Sequence, residues 1–229
     1  MNVVMLAYPR MTQLDLTGPF EVLAKVKSLS LHLVWKDTAP VVDSGGLAIV
    51  PSATFDSAPQ ADILFVPGGP GQLTLMEDEE TLEFLRRQAA GAQYVTSVCT
   101  GSLVLAAAGL LTGYRATSHW MSLDQLAHFG VEPVSERVVW DRNRVTGAGV
   151  TSGIDFGLQL VAGLFGDDEA QRVQLGMEYD PQPPFDSGSP KTATPERVAA
   201  ARDASKAFQT QRDEVAKRAA ARLAKRMVH

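Results

Sequence analysis

The sequence predicts an α/β protein in which a parallel sheet is sandwiched by helices and followed by a C-terminal helical arm. Three observations predict it. Short apolar or alternating runs recur as far as Gly166, with stretches of helical composition between them. One run, Tyr94–Val98, passes directly into Cys99-Thr100-Gly101-Ser102 and then into helical composition. Five prolines within residues 181–195 then separate this body from a last stretch, Glu196–Val228, that reads as one helix.

Each element has its own signal. Val3–Ala7 is a short apolar strand. Gly18-Pro19-Phe20-Glu21 predicts a helix start, with proline in the first turn and glutamate at its third position. Leu31–Trp35 alternates as a strand does, and Ser44-Gly45-Gly46 predicts a hairpin with Leu47–Val50. Ala61–Val66 reads as a buried strand ending in Pro67-Gly68-Gly69-Pro70-Gly71. Acid-rich Glu77–Glu80 leads a helix through Leu82, Leu85 and Ala89. Leu103–Leu111 has helical composition, and Asp141-Arg142-Asn143 joins Val138–Trp140 to Arg144–Thr146 as a hairpin. Thr151-Ser152-Gly153 opens a helix with Ile154, Leu158, Val161 and Phe165 on one face, and Gly166-Asp167-Asp168 caps another that runs to about Tyr179. Residues 1–180 thus read as one α/β domain, 181–195 as a proline-rich arm, and 196–229 as a basic C-terminal helix.

Composition narrows the function classes. The 229 residues are 45% hydrophobic and 21% charged, ordinary for a globular protein. The start lacks a basic n-region, and no apolar run nears the ~18 residues of a membrane span. One cysteine excludes internal disulfides, so the cytoplasm is the expected compartment. The net charge is −5, yet from Lys191 onward ten Lys/Arg face four Asp/Glu, a surplus of six that leaves −11 on the rest. Because the tail is alanine-rich with mixed charges, it reads as a helix packed on its own domain or on a sister subunit, ahead of nucleic acid or an anionic surface.

The strongest local signal is Cys99. A cysteine at a sharp strand-to-helix turn is lifted from the sheet edge, and the N–H groups of the helix start favour its thiolate. The competing reading is a buried structural cysteine. Loops at the carboxyl ends of neighbouring parallel strands converge on one crevice. Gly68-Gly69 is placed there to present a bare N–H to an oxyanion, with Gly69 a candidate substrate contact. Asp15 lies between the first strand and its helix and is either a helix cap or a group aimed into the crevice. Facing Cys99, it would titrate with it as a pair, a thiolate beside a protonated carboxyl. Ile154 is either an apolar wall of the same crevice or plain core. His119 reads as a structural histidine beside Trp120 more than as a partner of Cys99. His32, His128 and His229 lack ligand spacing, so no metal is expected. The glycine run lacks both a Walker Lys-Ser/Thr and G-x-G-x-x-G, so no cofactor is expected.

Val98-Cys99-Thr100-Gly101-Ser102, Ala108-Gly109-Leu110-Leu111-Thr112-Gly113, Ala116-Thr117-Ser118-His119-Trp120, Pro67-Gly68-Gly69 and Gly149-Val150-Thr151-Ser152-Gly153-Ile154-Asp155 together resemble the ThiJ/PfpI superfamily over roughly Met1 to Gly166. That resemblance implies a flavodoxin-like, class I glutamine-amidotransferase-like sheet. Within the superfamily the chain is most similar to the isonitrile-hydrating branch, which has aspartate in the first loop where many relatives have glutamate, and threonine after the cysteine where PfpI-type members have histidine. Asp15, Cys99 and Thr100 stand in those places, which implies hydration of a small isonitrile by these three residues, and the arm and last helix imply a homodimer. Other cysteine chemistry, glyoxalase-like or peptidase-like, is the alternative, the peptidase version disfavoured by Thr100. A sensor domain is a third reading, since related domains precede helix-turn-helix modules in AraC-type regulators, but the tail here is too short for a tandem unit.

Overall fold

The computed structural model describes residues 1–227; the expected last helical position, Val228, and His229 lie outside them. Seven strands form the main sheet: β1 (Asn2–Leu6), β2 (Ser30–Trp35), β3 (Ala53–Thr54), β4 (Ile63–Val66), β5 (Tyr94–Val98), β6 (Val138–Asp141) and β7 (Arg144–Gly147). Their order is β6-β7-β5-β4-β1-β2-β3, parallel throughout except for the β6–β7 hairpin. Val3–Leu6 and all of β4 are fully buried, as expected of central strands covered on both faces. Each such side chain contributes about 1.5–3 kcal/mol of burial. Outside this sheet, Val41–Val42 and Ala48–Ile49 form the expected small hairpin, closed by Asp43, whose Oδ1 accepts the N–H groups of Gly45 and Leu47.

The helices are α1 (Gln13–Ala24), α2 (Gln72–Leu75), α3 (Glu79–Gly91), α4 (Gly101–Ala107), α5 (Ser152–Phe165), α6 (Asp167–Gly176) and α7 (Pro195–Met227). Three expectations need correction. α1 starts at Gln13, not Gly18, so Pro19 sits inside it and removes the N–H that would return to the Asp15 carbonyl. α2 and β3 have no counterpart in the sequence reading; each is a single short stretch without a period to detect. In α5 the buried face is Gly153, Phe156, Gly157, Leu160 and Val161, while Leu158 and Phe165 are half-buried. The glycines decide this: added Cβ atoms on Gly153 and Gly157 would lie 2.9 Å from Pro19 Cδ and 2.9 Å from Val22 Cβ, so α5 presses its smallest residues onto α1.

α7 is one unbroken helix lying on the body. Arg218 and Arg222 pair with Glu77, and Arg226 with Glu79 and Glu83, so much of the tail's positive charge is met by α3 and the turn before it. Val215, Ala216 and Ala219 of α7 itself are buried. Among the described residues, no helix is long and apolar enough to cross a membrane.

Candidate active site

The sheet brings the carboxyl ends of β1, β4, β5 and β7 side by side, with Gly147 level with Val98. Cys99 follows β5 at once and adopts φ +58°, a left-handed conformation that costs a non-glycine residue about 1–2 kcal/mol. The elbow is held from several sides. Its N–H points to the carbonyls of Gly147 (3.0 Å) and Ala148 (2.9 Å), while its own carbonyl accepts Ser102 Oγ (3.1 Å) and Ser118 Oγ (3.1 Å). Thr100 then stands at the N-terminal boundary of α4, its side chain making no capping bond to the helix.

Asp15, Cys99 and Thr100 meet across Gly68. A Cβ on that glycine would sit 2.6 Å from Thr100 N, 2.8 Å from Asp15 Oδ2 and 2.8 Å from Cys99 Cβ. Only a bare backbone lets the three approach. Gly69, at φ +126°, is also obligatory, since its Cβ would fall 2.2 Å from Thr12 N. Its N–H is not bare as expected but donates to Thr100 Oγ1 at 3.1 Å, which fixes that hydroxyl as an acceptor. Ile154, at the site end of α5, is half-buried with its Cγ1 3.5 Å from where a Gly18 Cβ would be, beside α1.

The two readings of Asp15 separate clearly. It is fully buried, neither oxygen makes a well-formed hydrogen bond, and Thr12, not Asp15, stands at the helix cap. Burial pushes its carboxyl up to about 7, although the Cys99 thiol and the Gly68 N–H both favour the carboxylate. Cys99, 5% exposed, is moved well above the usual thiol range, first by burial and then by the charge of Asp15, against the pull of the Thr100 N–H and Arg212. The expected resting thiolate is therefore reversed: desolvation outweighs the helix terminus, and the sulfur keeps its proton and offers it to the carboxylate.

Three neighbours escaped the sequence reading. Tyr8, just past β1, is fully buried and donates its hydroxyl to the Pro67 carbonyl at 2.9 Å. Ser118 grips the elbow carbonyl, and Arg212 enters from α7. Only Arg212 carries a detectable signal: it falls on the helical stripe of Phe208, Val215, Ala219 and Leu223. His119 packs against Gly149 and is held towards its neutral form, chiefly by burial and then by Arg212. Two open hollows lie away from Cys99, one of about 410 Å³ between Trp120 and the arm and another of about 500 Å³ beside Val26, Phe165 and Arg172. Enclosure and chemistry rather than size single out the cysteine site.

Residues 1–163 match the DJ-1/PfpI family. Isonitrile hydratase of Pseudomonas putida is 54% identical over 223 residues, 97% of this chain and 98% of that one. A ThiJ/PfpI family protein from Pseudomonas syringae superposes with a TM-score of 0.92 at 48% identity, covering 94% and 90% of the two chains. The HTH-type transcriptional regulator GbdR of Pseudomonas aeruginosa is 35% identical over 65% of this chain but only 41% of its own length.

Proposed function

The chain belongs to the DJ-1/PfpI family, and we propose that it is an isonitrile hydratase, a hydro-lyase that adds water to R–N≡C and releases an N-substituted formamide. The observation that carries this reading is the meeting of Asp15, Cys99 and Thr100 across Gly68.

In the first step the Asp15 carboxylate takes the Cys99 thiol proton and delivers it to the terminal isonitrile carbon as sulfur bonds to that same carbon. The product is a thioimidate, R–N=CH–S–Cys99. Water next bonds to this carbon, guided by Asp15 as base, and a proton passes to the nitrogen. The carbon–sulfur bond breaks, sulfur recovers a proton, and R–NH–CHO leaves. The role of Gly69 is indirect: its N–H engages one face of Thr100 Oγ1, leaving the hydroxyl proton for the substrate nitrogen or Asp15. Ile154 forms an apolar wall for R. A carboxyl that titrates at about 7 suits alternate donation and acceptance near neutral pH. The same reading includes a cytoplasmic homodimer whose contacts involve the arm, where Phe185 is 79% exposed.

The test is conversion of cyclohexyl isocyanide, followed as formamide. Wild type turns over, and Thr100→Val is slower by about tenfold, the worth of one buried hydrogen bond. Absence of formamide with folded wild type would overturn the reading.

A further inference from the structure

Most charged residues of α7 face solvent or surface carboxylates, but Arg212 points inward and is 5% exposed. Its Nη1 donates to Ser122 Oγ at 2.6 Å and Gln209 Oε1 at 3.1 Å, both neutral. Its guanidinium lies 4.5 Å from the Phe208 ring centroid, and its Nε is buried without an acceptor. Among the described residues no carboxylate pairs with it, whereas Arg218, Arg222 and Arg226 reach Glu77, Glu79 and Glu83. A buried cation without a counter-ion is costly, and it makes its surroundings a place where an anion would be stabilised.

The surroundings identify that anion. The Ser118–Ser122 segment links the two sites: Ser118 Oγ holds the Cys99 carbonyl at 3.1 Å, Ser122 N–H donates to the His119 carbonyl at 2.8 Å, and Ser122 Oγ receives Arg212. The ionisable groups whose anionic forms would be felt by Arg212 are Cys99 and Tyr8. Asp15 faces the same sulfur from α1, and His119 faces Arg212 in its neutral form. Tyr8 starts from the higher ordinary range of a phenol, is pushed up by burial and by the charges of Asp15 and Cys99, and commits its proton to the Pro67 carbonyl at 2.9 Å. The sulfur remains.

We infer that Arg212 is a positioning residue for the cysteine chemistry: α7 completes the site by setting a fixed, otherwise unpaired cation where it favours the Cys99 thiolate. The inference rests on Cys99 as the nucleophile, not on the identity of the substrate. It gives the last helix a chemical role beyond packing, one that residues 1–163 alone do not supply.

The experiment is the rate of Cys99 alkylation by iodoacetamide, read by intact mass; with a single cysteine in the chain the label is unambiguous. Below the thiol pKa the rate follows the thiolate fraction, so one unit of pKa is tenfold in rate. Arg212→Gln, which can still hydrogen-bond Ser122, should alkylate about tenfold more slowly at pH 8, and Arg212→Lys should stay within about threefold of wild type. A merely structural role predicts the opposite sign, because loosened packing exposes the sulfur and speeds alkylation. An unchanged or faster rate in Arg212→Gln would overturn the inference. If the glutamine variant does not fold, Arg212→Met carries the same comparison with the lysine variant. A wild type that makes no formamide while the alkylation difference holds would sink the hydratase reading alone.

Discussion

Replacing Cys99 by alanine abolishes isonitrile hydration, with turnover falling by on the order of 10⁴-fold or more, the scale seen when a covalent nucleophile is removed. Nothing else in the chain can take over, since Cys99 is its only thiol. The elbow itself survives, because the bonds that hold it run through the backbone N–H and carbonyl of residue 99, not through sulfur. Far-ultraviolet circular dichroism and thermal midpoint should therefore stay close to wild type while formamide production disappears. A well-folded Cys99→Ala that retains near-wild-type activity would exclude the covalent route.

Asp15→Asn produces two large effects of opposite sign. Formamide production falls by about 10²–10⁴-fold, the usual contribution of a group that carries protons in the transition state. Stability rises instead. The folded carboxyl titrates at about 7 against an ordinary value of 3.8, so its protonated form is the one the fold favours. Below pH ~4 the carboxyl is protonated in both folded and unfolded chains and costs nothing. Between pH ~4 and ~7 the unfolded chain loses the proton and the folded one retains it, so wild type weakens with rising pH by about 1.4 kcal/mol per unit. Above that window the penalty is complete, roughly 4 kcal/mol at most. Asparagine has no such titration. Urea unfolding of both proteins at pH 4 and pH 8 should give similar stabilities at the lower pH and a more stable Asp15→Asn at the higher one. Parallel pH dependence in the two would contradict the burial of this carboxyl.

Different parts of this arrangement were legible in the sequence for different reasons. The elbow at Cys99 was visible because a strand and a helix abut with no loop between them, which leaves few other conformations for residue 99. Asp15 was visible as a candidate but not in its orientation. The helix reading rested on Pro19 and so began five residues late, and a residue outside a helix can be its cap whereas one in its first turn cannot. The protonation state of Cys99 was misread because burial, a tertiary quantity, outweighs the local pull of the helix terminus. The α5 face was misassigned because hydrophobicity ranks Leu158 and Phe165 above glycine, while close contact with α1 selects Gly153 and Gly157. Arg212 lay on a readable stripe, yet among ten basic residues of the tail its charge disguised its burial.

The central claim is that Cys99 bonds to the isonitrile carbon during turnover, and acid quenching followed by mass analysis tests it most directly. Wild type mixed with excess cyclohexyl isocyanide and quenched within a turnover should gain the mass of one isonitrile on the peptide containing Cys99, and the gain should vanish as substrate is consumed. Formamide formed while that peptide stays unmodified at every quench time, together with retained activity in Cys99→Ala, would contradict it.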